Sequence, residues 1–176
     1  MSNYTRPYLY PKQFDAMFCK ERYGLIEAST KSGKTVSAIA WILEECLSGE
    51  ANWNYWWIAP GYNQSEIAYR RIKSGLTKGS FVPFDTPTPR ISMMNGTCLW
   101  FKSADNPDAL YGEDVYAAVI DEASRVSDSL YGSARLMMAV STGRLIALSR
   151  CLPAGRRFGR SASSARNRRH VLSLCD

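Results

Sequence analysis

Two short stretches of this chain carry residue types that can work on a phosphate. Residues 28–35 read Ala-Ser-Thr-Lys-Ser-Gly-Lys-Thr, and further on an apolar run ends in a pair of acids, Asp121 and Glu122. In a phosphate-binding loop, backbone N–H groups at a helix N-terminus converge on the anion, and glycine permits the close approach. The usual spacing is Gly-x-x-x-x-Gly-Lys-Ser/Thr. Here Ala28 stands at the first glycine, while Gly33, Lys34 and Thr35 are intact. Alanine suits the entry position as long as its φ is negative. Ser29, Thr30, Lys31, Ser32 and Gly33 would then wrap the phosphates, Lys34 would reach the β- and γ-phosphates, and the Thr35 hydroxyl would ligate Mg²⁺. Lys31 has two readings, a phosphate contact or a solvated side chain.

Asp121 follows Ala117-Ala118-Val119-Ile120. Parallel sheets place ligands at the C-terminal ends of their strands, where a magnesium-binding acid is needed. Glu122 comes next and can orient or deprotonate an attacking water. Water activation at that position argues for hydrolysis of a nucleoside triphosphate and against a small-molecule kinase. The alternative for the pair is a solvated cap on the following segment. Upstream, Tyr10-Pro11-Lys12-Gln13-Phe14 offers Gln13, whose amide can read an adenine edge through its donor and acceptor; the plainer reading is a surface glutamine.

These residues need elements to carry them. Tyr23–Ala28 is a strand candidate leading into the loop. From Thr35 a helix is expected, with Ile39, Ile42, Leu43, Cys46 and Leu47 on one face and Ser48-Gly49 at its end. Asn54–Ala59 is an aromatic-rich strand stopped by Pro60-Gly61, and Gln64 to about Thr77 reads as a second helix. Ile91–Met94 and Thr97–Phe101 flank Asn95-Gly96, a strong hairpin signal. Val115–Ile120 is a near-continuous apolar run of the kind a buried parallel strand shows, and Leu145–Leu148 is a further strand candidate. Strands alternating with helices predict an α/β sheet of parallel character.

At 176 residues, 45% hydrophobic and 22% charged, the chain has the composition of a single soluble globular domain. No run approaches the roughly 18 apolar residues that span a bilayer, and the N-terminus lacks a signal-peptide pattern; the expectation is a cytoplasmic protein without membrane contact. Five scattered cysteines without a Cys-x-x-Cys pair, and one histidine, His170, argue against a zinc site or a histidine-based triad. The net charge of +6 is unevenly placed. Residues 1–142 carry 14 Lys/Arg against 15 Asp/Glu, whereas residues 143–176 carry 8 Arg against one acid. A nucleic-acid argument from charge would therefore rest on the tail alone. One domain and a tail are expected: residues 1–149 as an ATPase unit, and 150–176 as a basic Ser/Arg-rich tail too poor in large apolar residues to fold, with Val171–Leu174 weakly structured.

The order of these motifs resembles the N-terminal ATPase domain of the large terminase subunit of tailed bacteriophages, the motor that packages DNA into a procapsid. The residues carrying the resemblance are Tyr-Pro-Lys-Gln (10–13), Glu-Ala-Ser-Thr-Lys-Ser-Gly-Lys-Thr (27–35), Ile-Ala-Pro-Gly-Tyr-Asn-Gln-Ser (58–65), Asn-Gly-Thr (95–97), Phe-Lys-Ser-Ala-Asp-Asn-Pro-Asp-Ala-Leu-Tyr-Gly-Glu-Asp (101–114) and Ala-Val-Ile-Asp-Glu-Ala (118–123). It implies a RecA-like P-loop NTPase fold of the ASCE type, a three-layer sandwich around a largely parallel sheet. It implies ATP and Mg²⁺ as cofactors, Gln13 as the adenine reader, Lys34 and Thr35 as phosphate and magnesium ligands, Asp121 as the second magnesium residue and Glu122 as the catalytic carboxylate. The implied partners are double-stranded DNA, a portal protein, a small terminase subunit and further copies in a ring, in the host cell cytoplasm. Tyr62, Arg70 and Arg71 become DNA or subunit contacts on this reading, or an exposed helix face otherwise. Arg125 and Arg135 are available as transition-state arginines. The chain departs from the family after Leu145–Ser149, where a Ser/Thr-rich coupling motif is usual and Arg150-Cys151-Leu152-Pro153 stands instead. The nuclease carboxylates are also missing, which leads to the expectation of a truncated chain whose tail comes from a shifted reading frame; the alternative is a genuine basic arm that binds DNA phosphates. The competing readings are a helicase-like DNA-dependent ATPase and a nucleotide-binding remnant with little turnover.

Overall fold

The computed structural model describes residues 4–85, 88–105, 114–127, 129, 130, 134 and 143–150, together with the backbone of 170–174. Along the chain run α1 (Pro11–Met17), β1 (Tyr23–Ala28), α2 (Lys34–Ser48), β2 (Asn54–Ala59), α3 (Tyr62–Gly75), β3 (Phe81–Phe84), β4 (Arg90–Met93), β5 (Cys98–Ser103), β6 (Val115–Ile120), a 3₁₀ turn (Ala123–Arg125), β7 (Arg144–Arg150) and β8 (His170–Leu174). One eight-stranded sheet has the order β3-β4-β5-β2-β6-β7-β1-β8. All neighbours from β5 to β8 pair in parallel, and only β3-β4 and β4-β5 are antiparallel.

The central strands are apolar on both faces because both faces are covered. Along β2 successive side chains point to opposite sides. Tyr55 and Trp57 join one core cluster with Trp41, Ile42, Tyr69, Ile72, Val119 and Ile146. Trp56 and Ile58 join the other with Ala118, Ile120, Ala123, Leu130, Leu145 and Ala147. α2 and α3 supply the first layer, and the segment after β6 contributes to the second. Each of these large side chains contributes about 1.5–3 kcal/mol by leaving water.

The buried stripe of α2 runs through Ala38, Trp41, Ile42 and Cys46, and Ile39 and Leu47 remain half-buried. Trp41, the largest side chain on the helix, takes the centre of the contact and rotates the stripe from the expected face. The helix ends against the β4-β5 hairpin. Asn95 Nδ2 donates to the carbonyls of Cys46 (2.8 Å), Leu47 (3.3 Å) and Gly49 (3.1 Å), and Thr97 Oγ1 donates to Cys46 O (2.9 Å). These are the carbonyls a helix terminus leaves unpaired. The hairpin turn is one residue longer than a two-residue Asn-Gly turn: Gly96 N–H donates to Met93 O, and in the turn only Gly96 (φ 87°) is left-handed.

Several elements differ from the sequence expectation. α1 was not expected; it begins with Pro11 at its first position, and Gln13 Oε1 accepts from the Tyr10 N–H at 3.0 Å. α3 starts at Tyr62, two residues early, directly after Gly61. β3 carries no clear strand signal, because Pro83 interrupts a short run, and an edge strand is where a sheet tolerates proline. The tail differs most. His170–Leu174 form β8, parallel to β1 with Gly24 opposite His170 and Ala28 opposite Leu174. β7 lies inside the sheet, and β8 covers the edge that β1 would otherwise expose. Residues 151–169 of the expected tail lie outside the described residues. No helix among the described residues is long and apolar enough to cross a membrane.

Candidate nucleotide site

β1 delivers the chain to the C-terminal edge of the sheet, and α2 takes it away. Between them, residues 29–33 turn tightly, with Ser32 N–H donating to Ser29 O at 3.4 Å. Ala28 is fully buried, is the last residue of β1 and is not among the left-handed residues, which is the condition for alanine at that position. The left-handed steps fall on Lys31 (φ 68°) and Gly33 (φ 79°), the residue that caps α2. The loop thus aims its N–H groups from the start of a 15-residue helix. Lys34 is buried, and its ammonium folds back across the loop to Ser29 O at 3.5 Å. Ser32 Oγ is buried and has no hydrogen-bond partner among the described residues. Buried polar atoms are normally hydrogen-bonded, so this hydroxyl stands out at the loop.

Gln13 reaches the loop from α1. It is nearly buried, its Nε2 donates to Ser32 O at 2.6 Å, and a Cβ at Gly33 would meet that nitrogen at 2.5 Å. The amide therefore braces the loop against α1.

The acids lie two strands away from the loop, because β7 is inserted between β1 and β6. That separation is roughly 10 Å between the strand axes. Asp121 N–H donates to Ile58 O at 2.8 Å, and its Oδ1 accepts from the Glu122 N–H at 3.0 Å. Burial pushes the Asp121 carboxyl above the ordinary range; the Glu122 N–H, Lys34 and Arg71 act in the opposite direction. Glu122 is left-handed at φ 48°, an uncommon conformation for a residue with a side chain. Its Oε1 accepts from Arg150 Nη2 (3.3 Å) and Nε (3.4 Å). Arg150 is the last residue of β7 and pairs in register with Ala28. It therefore stands between the loop and the acid pair.

The structure thus gathers Gln13, Ser29, Thr30, Lys31, Ser32, Gly33, Lys34, Thr35, Asp121 and Glu122 at one edge of the sheet. Among the described residues no cluster of three or more His, Cys, Asp or Glu could hold a metal ion. Asp121 and the Thr35 hydroxyl lie at the same edge of the sheet, at the end of β6 and the start of α2. Arg70 pairs with Glu66 at 3.4 Å on the surface of α3, Tyr62 is half-exposed, Arg125 is exposed, and Arg135 lies outside the described residues. Sequence reasoning missed the placement of Arg150, because only the pairing of β7 between β1 and β6 brings its side chain within reach of Glu122.

A parallel sheet with one strand inserted between the phosphate-loop strand and the acid-bearing strand is the RecA-like P-loop NTPase fold. The structure is similar to the ATPase domain of the Thermus phage P74-26 large terminase, with a TM-score of 0.71 at 19% identity over 96% of this chain and 80% of that one. A large terminase from a thermophilic bacteriophage, solved in complex with ADP, matches with a TM-score of 0.64 at 17% identity, over 94% of this chain and 44% of its own. The HK97 bacteriophage large terminase matches with a TM-score of 0.64 at 15% identity, over 81% and 33%. The chain spans most of an isolated ATPase domain and less than half of these larger terminases. No protein-family model matches the sequence, and no curated protein is similar to it.

Proposed function

We infer that the chain is an ATPase module of a viral DNA-packaging motor, hydrolysing ATP at the edge shared by β1, β7 and β6. The observation that carries this is the juxtaposition of the Lys34 loop with the Asp121–Glu122 pair, one inserted strand apart. The loop N–H groups and the Ser32 hydroxyl donate to the phosphates. Lys34 brings its charge to the β- and γ-phosphates. Thr35 and Asp121 would hold Mg²⁺, which neutralises phosphate charge when bound. Glu122 orients a water and accepts its proton. Gln13 keeps the loop in shape, and beyond its two bonds its amide retains one N–H and one lone pair for an adenine edge.

The likeness to terminase ATPase domains supports double-stranded DNA, a portal protein, a small terminase subunit and further copies of the chain as partners. A second reading, a nucleotide-binding remnant with little turnover, has one observation in its favour: the ion pair that engages Glu122.

Steady-state ATP hydrolysis with Mg²⁺, for the chain and for Glu122→Gln, alongside binding of a fluorescent ATP analogue, separates these. Turnover lost in Glu122→Gln with binding retained is the expected result. Binding without turnover in either protein selects the remnant, and absence of binding overturns the nucleotide site itself.

A further inference from the structure

The contact between Arg150 and Glu122 joins the two halves of the site. Arg150 ends the strand inserted between loop and acids, opposite the first residue of the phosphate loop. Two of its N–H groups converge on one oxygen of Glu122. Its side chain is 58% exposed against 21% for Glu122, so the guanidinium is the partner free to move. Glu122 is also tied by its own backbone N–H to Asp121. A half-exposed ion pair of this kind is weak, and a planar guanidinium binds phosphate oxygens as readily as carboxylate.

We propose that Arg150 is a positioning residue with two alternative partners, the Glu122 carboxylate in the nucleotide-free chain and the γ-phosphate of a bound triphosphate. This rests on the nucleotide reading of the loop. A triphosphate seated on residues 29–34 extends towards the acids, across the end of β7, and its terminal charge competes for the guanidinium. When Arg150 turns to the phosphate, Glu122 is released to face the water. A diphosphate ends short of that position and leaves the pair closed. Arg150 thereby couples recognition of the third phosphate to the freedom of the water-activating carboxylate, at the strand end where a Ser/Thr-rich coupling segment is absent.

The experiment is a binding cycle on the full chain, using calorimetric titration of ATPγS and of ADP with Mg²⁺. The proteins are wild type, Glu122→Gln, Arg150→Ala, Arg150→Lys and the Glu122→Gln/Arg150→Ala double variant. Arg150→Ala is expected to weaken ATPγS roughly tenfold, the size of one charge-assisted contact, with ADP unchanged and Arg150→Lys in between. The sign of the cycle is the deciding readout. If carboxylate and phosphate compete for one guanidinium, Glu122→Gln tightens ATPγS more when Arg150 is present than when it is alanine. If Arg150 only neutralises Glu122, the substitution helps more in the Arg150→Ala background, where the bare carboxylate repels phosphate. That sign, or a cycle that closes at zero, overturns the proposal while leaving the nucleotide site intact. Wild type that binds neither ATPγS nor ADP overturns the nucleotide site and the proposal with it. Far-ultraviolet circular dichroism of each variant establishes that the fold is retained, and Arg150→Lys carries the comparison if Arg150→Ala unfolds.

Discussion

Gly33→Ala tests the geometry of the loop without any nucleotide. Two separate costs follow from the structure. Gly33 sits at φ 79°, where a side chain costs about 1–2 kcal/mol. The new Cβ would also lie 2.5 Å from Gln13 Nε2, so the amide must leave. It then loses the bonds to Ser32 O and from Tyr10 N–H, at about 1 kcal/mol each. Gly33→Ala should therefore destabilise by about 3–4 kcal/mol, and Gln13→Ala, which loses the same two bonds, by about 2 kcal/mol. The double variant loses those bonds only once, and the clash has gone. Its cost should be about 3–4 kcal/mol, short of additivity by about 2 kcal/mol. Urea unfolding of the four nucleotide-free proteins, followed by circular dichroism, measures each term. Additivity to within about 0.5 kcal/mol would refute the contact between Gln13 and the loop. A Gly33→Ala cost below about 1 kcal/mol would refute the left-handed cap as well.

Two further outcomes can be checked in the same way. Asn95→Ala should lower stability by about 1–2 kcal/mol, because one side-chain amide serves three carbonyls at the end of α2; hydrogen exchange should show the loss concentrated in the last turn of that helix. Tyr4 is pushed up to about 12, first by burial and then by the charge of Glu44, and its hydroxyl is buried with no partner among the described residues. The folded chain therefore keeps a proton that the unfolded chain loses above about pH 10, so this contribution is whole below pH 10 and is lost as pH rises to about 12. Tyr4→Phe should flatten that alkaline limb of a stability-against-pH profile, and at pH 7 it should leave stability unchanged or raise it by about 1 kcal/mol.

The sequence by itself determined the chemistry-bearing stretches and the strands beneath them. Gly33-Lys34-Thr35 after Tyr23–Ala28, and Asp121-Glu122 after Val115–Ile120, are local signals: each motif is continuous in the chain, and its period or composition reports the element that carries it. The same holds for α2 and for the Asn95-Gly96 turn. What lay beyond local reading is pairing across the sheet. The position of β7 between β1 and β6, the closure of the β1 edge by His170–Leu174 and the meeting of Arg150 with Glu122 depend on which strands become neighbours and in what register. Nothing in a strand's own residues names its neighbour; burial of both sheet faces at once selects it. Gln13 shows the division within one side chain. Its amide suggests recognition when read alone, and only the packing of α1 against the loop makes it the brace of Gly33.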